Sequence, residues 1–293
     1  MRGSSPLPLA LTMGEPAGIG PDVTLAAWMR RGDEGGLPPF HVVGDPQLYR
    51  RRAAGLGLDV PVREVAPEET AAVFAAALPV VVAGPAVVGE PGRATTSDAV
   101  AVIASIEAAV EAVRVGRAAA VVTNPIHKNA LYQAGFAHPG HTEFLGDLAG
   151  RFAVPVDGRA WRPVMMLAGP DLRTVPITVH VALGRAVREL SVELVVATGR
   201  IVAADLRRRF GLAAPRLVVA GLNPHAGEDG AMGREEIDVL RPAIEMLRDE
   251  GIDVRGPAPA DTLFHPRARA TYDVALCPTH DQALIPVKTI AFD

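Results

Sequence analysis

Residues 97–122 read SDAVAVIASIEAAVEAVRVGRAAAVV, and two periodicities meet in them. Ser97 is placed to cap a helix. Within it Ile103, Ile106, Val110 and Val113 share one face while Glu107, Glu111 and Arg114 point elsewhere. Gly116 ends the helix. Ala118 to Val122 then reads as a strand apolar on both faces, the pattern of a parallel sheet covered by helices. The same alternation extends outward. Leu7 to Met13 reads as a strand, and Phe40 to Gly44 as another, followed by Asp45 as a helix cap with Pro46 in the first turn. Ala71 to Val88 reads as a helix and then a buried strand. Val164 to Ala168 and Arg173 to Val179 suggest a hairpin, with Pro176 marking an edge or bulge. Ser191 caps a helix reaching Phe210, Arg216 to Ala220 is a strand, and a helix runs from Glu235 to Arg248 with a kink at Pro242. Asp273 to Cys277 is the last clear strand. Strands alternating with helices predict an α/β fold with right-handed crossovers.

The 293 residues carry 29 Lys and Arg against 33 Asp and Glu, a formal charge of −4. The only basic blocks, Arg50-Arg51-Arg52 and Arg207-Arg208-Arg209, lie on helical patterns, so nucleic acid is not an expected partner. The single cysteine, Cys277, cannot form an internal disulfide, and its apolar neighbours predict a buried thiol. The N-terminus has no signal-peptide pattern, and Pro79, Gly84 and Pro85 break the most apolar window, so no membrane span is expected. These features together predict a cytoplasmic protein.

Chemistry-bearing residues gather after the strands, where open α/β sheets bind ligands. Gly14-Glu15-Pro16-Ala17-Gly18-Ile19-Gly20-Pro21-Asp22 is a strand-to-helix turn but lacks the third glycine of a dinucleotide fingerprint, and Glu15 is its reactive side chain. His127 and Lys128 are a basic pair at a strand end, suited to an anion. In Gly140-His141-Thr142-Glu143-Phe144, Thr142 is a helix N-cap candidate, and such a helix start with an imidazole beside it suits phosphate or carboxylate. His180, His225 and His280 each stand at or just past the end of a predicted strand. His225 lies on the irregular loop Gly221-Leu222-Asn223-Pro224-His225-Ala226-Gly227-Glu228. Three imidazoles with open positions describe a catalytic site for zinc or another first-row divalent metal. Three unrelated loop histidines are the alternative. The turn-rich 256–264 segment holds Asp261, and Lys288 follows His280 by eight residues.

The loops around Glu15, His127, His141, His225, Asp261 and His280-Asp281-Gln282 run along essentially the whole chain in the order found in the 4-hydroxythreonine-4-phosphate dehydrogenase (PdxA) family, which this sequence resembles. The resemblance implies a two-domain α/β fold similar to isocitrate and isopropylmalate dehydrogenases. Residues 1–138 plus 275–293 would form the first domain and 139–274 the second, with the active-site cleft between them. It implies a homodimer with active sites at the subunit interface. The cofactors implied are NAD or NADP, bound without the usual fingerprint, and a divalent metal (zinc, magnesium or cobalt) on His180, His225 and His280. His141, Thr142 and Lys288 would bind a small phosphorylated hydroxy-amino acid, and Asp261 and Asp281 would transfer protons or orient a histidine. The reaction implied is oxidation of 4-phosphooxy-L-threonine at its C3 hydroxyl, then decarboxylation to 3-amino-2-oxopropyl phosphate. Relatives acting on 4-phosphoerythronate, 4-phosphothreonate or dihydrodiol dicarboxylates share these motifs. The sequence departs from the family pattern at Ala283, where a glycine is common. It stops at Asp293, before the family's further substrate and cofactor segment. That predicts a C-terminally incomplete fold, with a non-catalytic truncated dimer as an alternative. A metal-dependent hydrolase using Glu228 and Asp281 is a rival from another class.

Overall fold

The strand–turn–helix alternation folds into two α/β units, Met1–Pro163 and Val164–Asp293. The structure, a computed structural model, describes residues 6–138, 140–152 and 162–292. In the first unit β1 (Leu9–Thr12), β2 (Phe40–Gly44), β3 (Val62–Glu64), β4 (Leu78–Val82) and β5 (Ala120–Val122) form a parallel sheet in the order β3-β4-β2-β1-β5. Its helices are α1 (Gly20–Met29), α2 (Pro46–Gly55), α3 (Thr70–Val73), α4 (Ala99–Arg114), α5 (Lys128–Gln133) and α6 (His141–Phe152). Leu11, Met13, Leu25, Val42, Val80 and Ile106 meet in one core, where full burial of Leu25 or Ile106 contributes roughly 2 kcal/mol each.

Asp45 caps α2 as expected, its Oδ1 accepting from the Gln47 N–H at 2.8 Å. Ser97 does not cap α4. Thr96–Asp98 form a 3₁₀ turn instead, and the Ser97 hydroxyl lies 2.9 Å from that of Thr95. The buried stripe of α4 runs through Val102, Ser105, Ile106, Ala109 and Ala112, while Ile103, Val110 and Val113 are only partly buried. Small residues let the helix lie close to the sheet. The Ser105 hydroxyl then accepts from the Met13 N–H at 2.8 Å and donates to the Val43 carbonyl at 2.6 Å, satisfying two strand ends without water. The doubly covered strand expected at 118–122 is an edge strand: β5 pairs with β1 alone, and Ala120 and Val122 are exposed.

In the second unit β6 (Leu167–Ala168), β7 (Arg173–Pro176), β8 (Leu217–Ala220), β9 (Val254–Ala258) and β10 (Val274–Cys277) lie in the order β6-β7-β10-β8-β9. β6 and β7 are the expected antiparallel hairpin, and the other pairings are parallel. The helices are α7 (Leu183–Glu189), α8 (Val192–Phe210), α9 (Arg241–Asp249), α10 (Pro266–Arg269) and α11 (His280–Ile290). The Ser191 hydroxyl caps α8 by accepting from the Leu194 N–H at 3.2 Å, and Gly211 ends it at φ +70°. The kink expected at Pro242 is a change of helix type, a π-helical turn over Glu236–Leu240 running into α9. β9 was hidden by its Gly-Pro composition.

The grouping of residues 275–293 with the first domain is corrected. β10 sits between β7 and β8, Val274 and Leu276 belong to the second unit's core, and Ala283 and Val287 of α11 pack with Cys277. Conversely α6, expected in the second domain, puts Phe144 and Leu148 into the first unit's core. Cys277 is buried, which pushes its thiol up. Among the described residues no helix is long and apolar enough to cross a membrane.

Candidate active site

Sheet register explains which histidines meet. Pro176 of β7 faces Cys277 of β10, and the chains stay zipped beyond both strands. The Ile177 N–H donates to the Cys277 carbonyl at 2.8 Å, and the Thr178 hydroxyl donates to that of Pro278 at 2.7 Å. His180 and His280 follow within two residues, so their rings stand 5.4 Å apart between centroids. The His280 Nδ1 is 2.8 Å from the Asp281 carboxylate, which leaves its Nε2 free. Both histidines, with Asp261, Phe264 and Asp281, line one cavity of about 600 Å³.

His225 follows β8, the other neighbour of β10, so all three imidazoles succeed adjacent strands of one sheet. Its loop turns back, however. His225, Ala226, Glu228 and Asp229 all have left-handed φ between +41° and +53°, a winding L-residues resist by roughly 1–2 kcal/mol each. The loop is held by Glu236, a buried carboxylate. It accepts from the Leu222 N–H at 2.8 Å, the Asn223 N–H at 2.7 Å and the Asn223 amide at 2.9 Å. Gln282 joins the loop to α11, its Nε2 donating to the Gly221 carbonyl at 2.8 Å. His225 is not among the residues lining the cavity, and among the described residues no three His, Cys, Asp or Glu side chains are spaced to hold a metal ion. The donor chemistry of His180 and His280, one backed by a carboxylate, suits a divalent metal; the third imidazole is not drawn in. Lys288 is exposed two turns along α11.

The first unit has its own meeting of strand-end loops. From β1 the chain passes to β2 on one side and, after β4 and α4, to β5 on the other, so the switch point lies between β1 and β5. Loops 14–19 and 123–127 flank it. Gly14 has φ +69° and lies against Asn124, whose buried amide donates to the Thr12 carbonyl and the Thr24 hydroxyl, both at 2.9 Å. Arg52, part of the basic block on a helical pattern, is buried. It donates to the carbonyls of Pro16 (2.8 Å) and Gly18 (3.0 Å) and pairs with Asp22. Within this frame Glu15 is buried and accepts from the Ala17 N–H at 3.1 Å. Burial pushes its carboxyl above the ordinary range, and the Ala17 N–H and His127 offset part of that rise.

That shift has a measurable consequence. A carboxyl raised in the folded chain supports stability fully below the unfolded-state value and loses that support as pH rises through the folded one. Glu15→Gln removes the loss. The variant's melting temperature should match the parent's in acid and gain on it as pH rises to neutrality. A gap independent of pH would show that Glu15 does not titrate this way.

Thr142 is not an N-cap: α6 starts at His141, one residue earlier. His141 is half-buried, and its Nε2 is buried without a hydrogen-bond partner. Burial, then the Lys128 charge, hold its imidazole below the ordinary range. The structure thus brings His180, His280, Asp261 and Asp281 together in the second unit and His141, Thr142 and Lys128 in the first. Arg52, Glu236 and Gln282 had no role assigned from the sequence alone. The Gln282 side chain had a local signal, since it caps the start of α11 from three residues past Thr279.

Residues 37–293 match the family model described as "Pyridoxal phosphate biosynthetic protein PdxA". A 4-hydroxythreonine-4-phosphate dehydrogenase of Methylorubrum populi is 60% identical over 289 residues, covering 98% of this chain and 81% of the relative. The crystal structure of a 4-hydroxythreonine-4-phosphate dehydrogenase from Klebsiella pneumoniae superposes with a TM-score of 0.83 at 32% identity, covering 98% of this chain and 85% of that one. A terephthalate 1,2-cis-dihydrodiol dehydrogenase from Burkholderia xenovorans gives a TM-score of 0.68 at 30% identity, over 97% of this chain and 83% of its own. With its α/β units, its strand-end histidines and these matches, the chain belongs to the PdxA family.

Proposed function

We propose that this chain is a 4-hydroxythreonine-4-phosphate dehydrogenase of pyridoxal phosphate biosynthesis. It oxidises the C3 hydroxyl of 4-phosphooxy-L-threonine with NAD or NADP, and the oxidised acid loses carbon dioxide to give 3-amino-2-oxopropyl phosphate. The observation that carries this reading is the meeting of His180 and His280 in one cavity with Asp261 and Asp281, in a chain 60% identical to a dehydrogenase of that name.

His180, His225 and His280 are the proposed holders of a divalent cation such as zinc, magnesium or cobalt, with the loop at 225 moving to complete the set. When bound, such a cation would supply Lewis-acid polarisation of the substrate's C3 oxygen, and the nicotinamide would supply the hydride acceptor. The protein's own part is positional. Asp281 faces Nδ1 of His280, fixing the tautomer that leaves Nε2 as donor. Asp261, in the same cavity, is placed to take the hydroxyl proton. His141 and Thr142 at the start of α6, with Lys288, bind the anionic ends of the substrate. The reading includes a homodimer with shared active sites and an α/β fold similar to that of isocitrate dehydrogenase.

The test is direct. The purified chain, given 4-phosphooxy-L-threonine, NAD or NADP and each metal in turn, should reduce the nicotinamide, followed by its absorbance. Parallel assays with 4-phosphoerythronate, 4-phosphothreonate and a dihydrodiol dicarboxylate should give lower kcat/KM. Preferred turnover of one of those reassigns the substrate, and no reduction with any pairing overturns the dehydrogenase reading for this chain.

A further inference from the structure

We propose that the second unit carries a ligand site apart from the histidine cavity: a basic cavity on the other side of the Asp261 turn, which takes a phosphorylated small molecule. This goes beyond the dehydrogenase reading, which gives that cavity no part.

The chain from Ala258 to His265 is a wall between two cavities. Ala260, Asp261 and Phe264 line the one that holds His180 and His280. Ala258, Thr262, Leu263 and His265 line another, of about 630 Å³. Arg255 and Gly256 of β9 complete it on one side, and Arg267, Ala268 and Thr271, in and just past α10, on the other. Small-molecule sites run to roughly 300–1,000 Å³, so an organic body fits there beside a phosphate group. Ala258, Leu263 and Ala268 offer that body apolar wall. Among the described residues that line the cavity there is no Asp or Glu.

The cavity's positive charge has no counter-charge. Arg267 forms no hydrogen bond or ion pair among the described residues. Arg255 donates to the Thr271 hydroxyl, a neutral partner, and its guanidinium carbon stands 5.9 Å from the Tyr272 ring centroid. By contrast Arg52, Arg200 and Arg216 each face a carboxylate. The His265 Nδ1 accepts from the Ala268 N–H at 3.4 Å, so the neutral ring carries its proton on Nε2, a third donor. The Thr262 and Thr271 hydroxyls donate instead to the carbonyls of Pro259 (3.1 Å) and Ala268 (2.5 Å). A further observation comes from Arg269, on the same short helix as Arg267. Its Nε and one terminal nitrogen are buried without a partner, and its charge adds to the local field. A concave wall of one sign concentrates ions of the other. Guanidinium forks match pairs of phosphate oxygens, and a tetrahedral dianion can accept from two arginines and an imidazole at once, where a planar carboxylate carries half the charge.

Phenyl phosphate, which joins the anion to an apolar ring, is the probe, and titration calorimetry reads its binding without turnover. Affinity should fall about tenfold or more in Arg267→Gln, and further in Arg267→Glu. It should persist in Lys288→Met, which weakens the proposed substrate site, and in Arg207→Gln, which removes one positive charge from α8 outside the cavity. Equal affinities in the parent and both Arg267 variants overturn the proposal. So does an equal loss in Arg207→Gln, the mark of a general charge effect, and so does a loss confined to Lys288→Met, which places the probe with the substrate. Benzoate should bind about tenfold more weakly than phenyl phosphate; equal or tighter binding overturns the phosphate assignment. Arg267→Gln should keep kcat/KM for nicotinamide reduction within about twofold of the parent, whereas a fall of about tenfold would put Arg267 in the substrate site and overturn a separate cavity. If the parent reduces no nicotinamide while phenyl phosphate binding still depends on Arg267, the dehydrogenase reading fails and the cavity stands. If it turns over and the binding ignores Arg267, the cavity fails and the dehydrogenase stands.

Discussion

His280→Ala should lower NAD- or NADP-linked kcat/KM by about a thousandfold, the rate equivalent of the several kcal/mol that a Lewis acid contributes. The same variant should purify with little bound metal. The expectation follows from the placement of the ring. Of the three histidines, His280 is the one whose Nδ1 already faces a carboxylate, and its neighbour His180 stands 5.4 Å away. It also opens α11, whose start is tied by Gln282 to the loop bearing His225. Metal content by elemental analysis, beside the kinetics, separates ligand loss from general damage. Turnover within tenfold of the parent with metal retained would remove His280 from the metal site.

The second large effect concerns folding. Gly14→Ala should destabilise the chain by about 3 kcal/mol, combining a left-handed backbone with overpacking of a closed site. Gly14 has φ +69°, and a Cβ there would stand 2.6 Å from the Asn124 Cβ and 2.7 Å from the Pro125 carbonyl oxygen. Neither neighbour can yield. Asn124 is bonded to Thr12 and Thr24, and the Pro125 carbonyl accepts from the Glu15 N–H at 2.8 Å. Gly57→Ala is the control: φ is similar at +66°, but nothing lies within 4 Å of the added carbon. It should show the backbone part alone, about 1 kcal/mol. Urea midpoints at constant m resolve the two, and equal losses would show that the close packing at Gly14 is relieved elsewhere.

The fold was legible where local chemistry and periodicity agree. Asp45 and Ser191 cap as read, because a side-chain oxygen and an orphan amide two or three residues on need nothing from the rest of the chain. The strands before His180, His225 and His280 showed as short apolar runs, and their adjacency in one sheet brings two of the rings together. Long-range chemistry was not legible. Arg52 and Glu236 are charged residues in polar contexts, and their burial depends on backbone groups supplied by distant loops. Val254–Ala258 holds a glycine and a proline that argue against a strand, yet β8 pairs with it. The expected large-residue stripe of α4 gave way to a small-residue one because helix-to-sheet distance, invisible in one sequence, decides which face fits. The membership of β10 was misassigned for a related reason: apolar runs fit either core, and only pairing with β7 and β8 chooses.

Handedness makes the segment from His225 to Asp229 dependent on anchors at both its ends, with Asp229 paired to Arg241 at 2.9 Å at the far one. A peptide of L-residues released from restraint would unwind from that coil toward ordinary backbone and carry the imidazole elsewhere. Glu236, eleven places further along the chain, grips the near end of the coil by two amides and a carboxamide. The course of the chain into and out of residue 225 is therefore set by side chains other than its own.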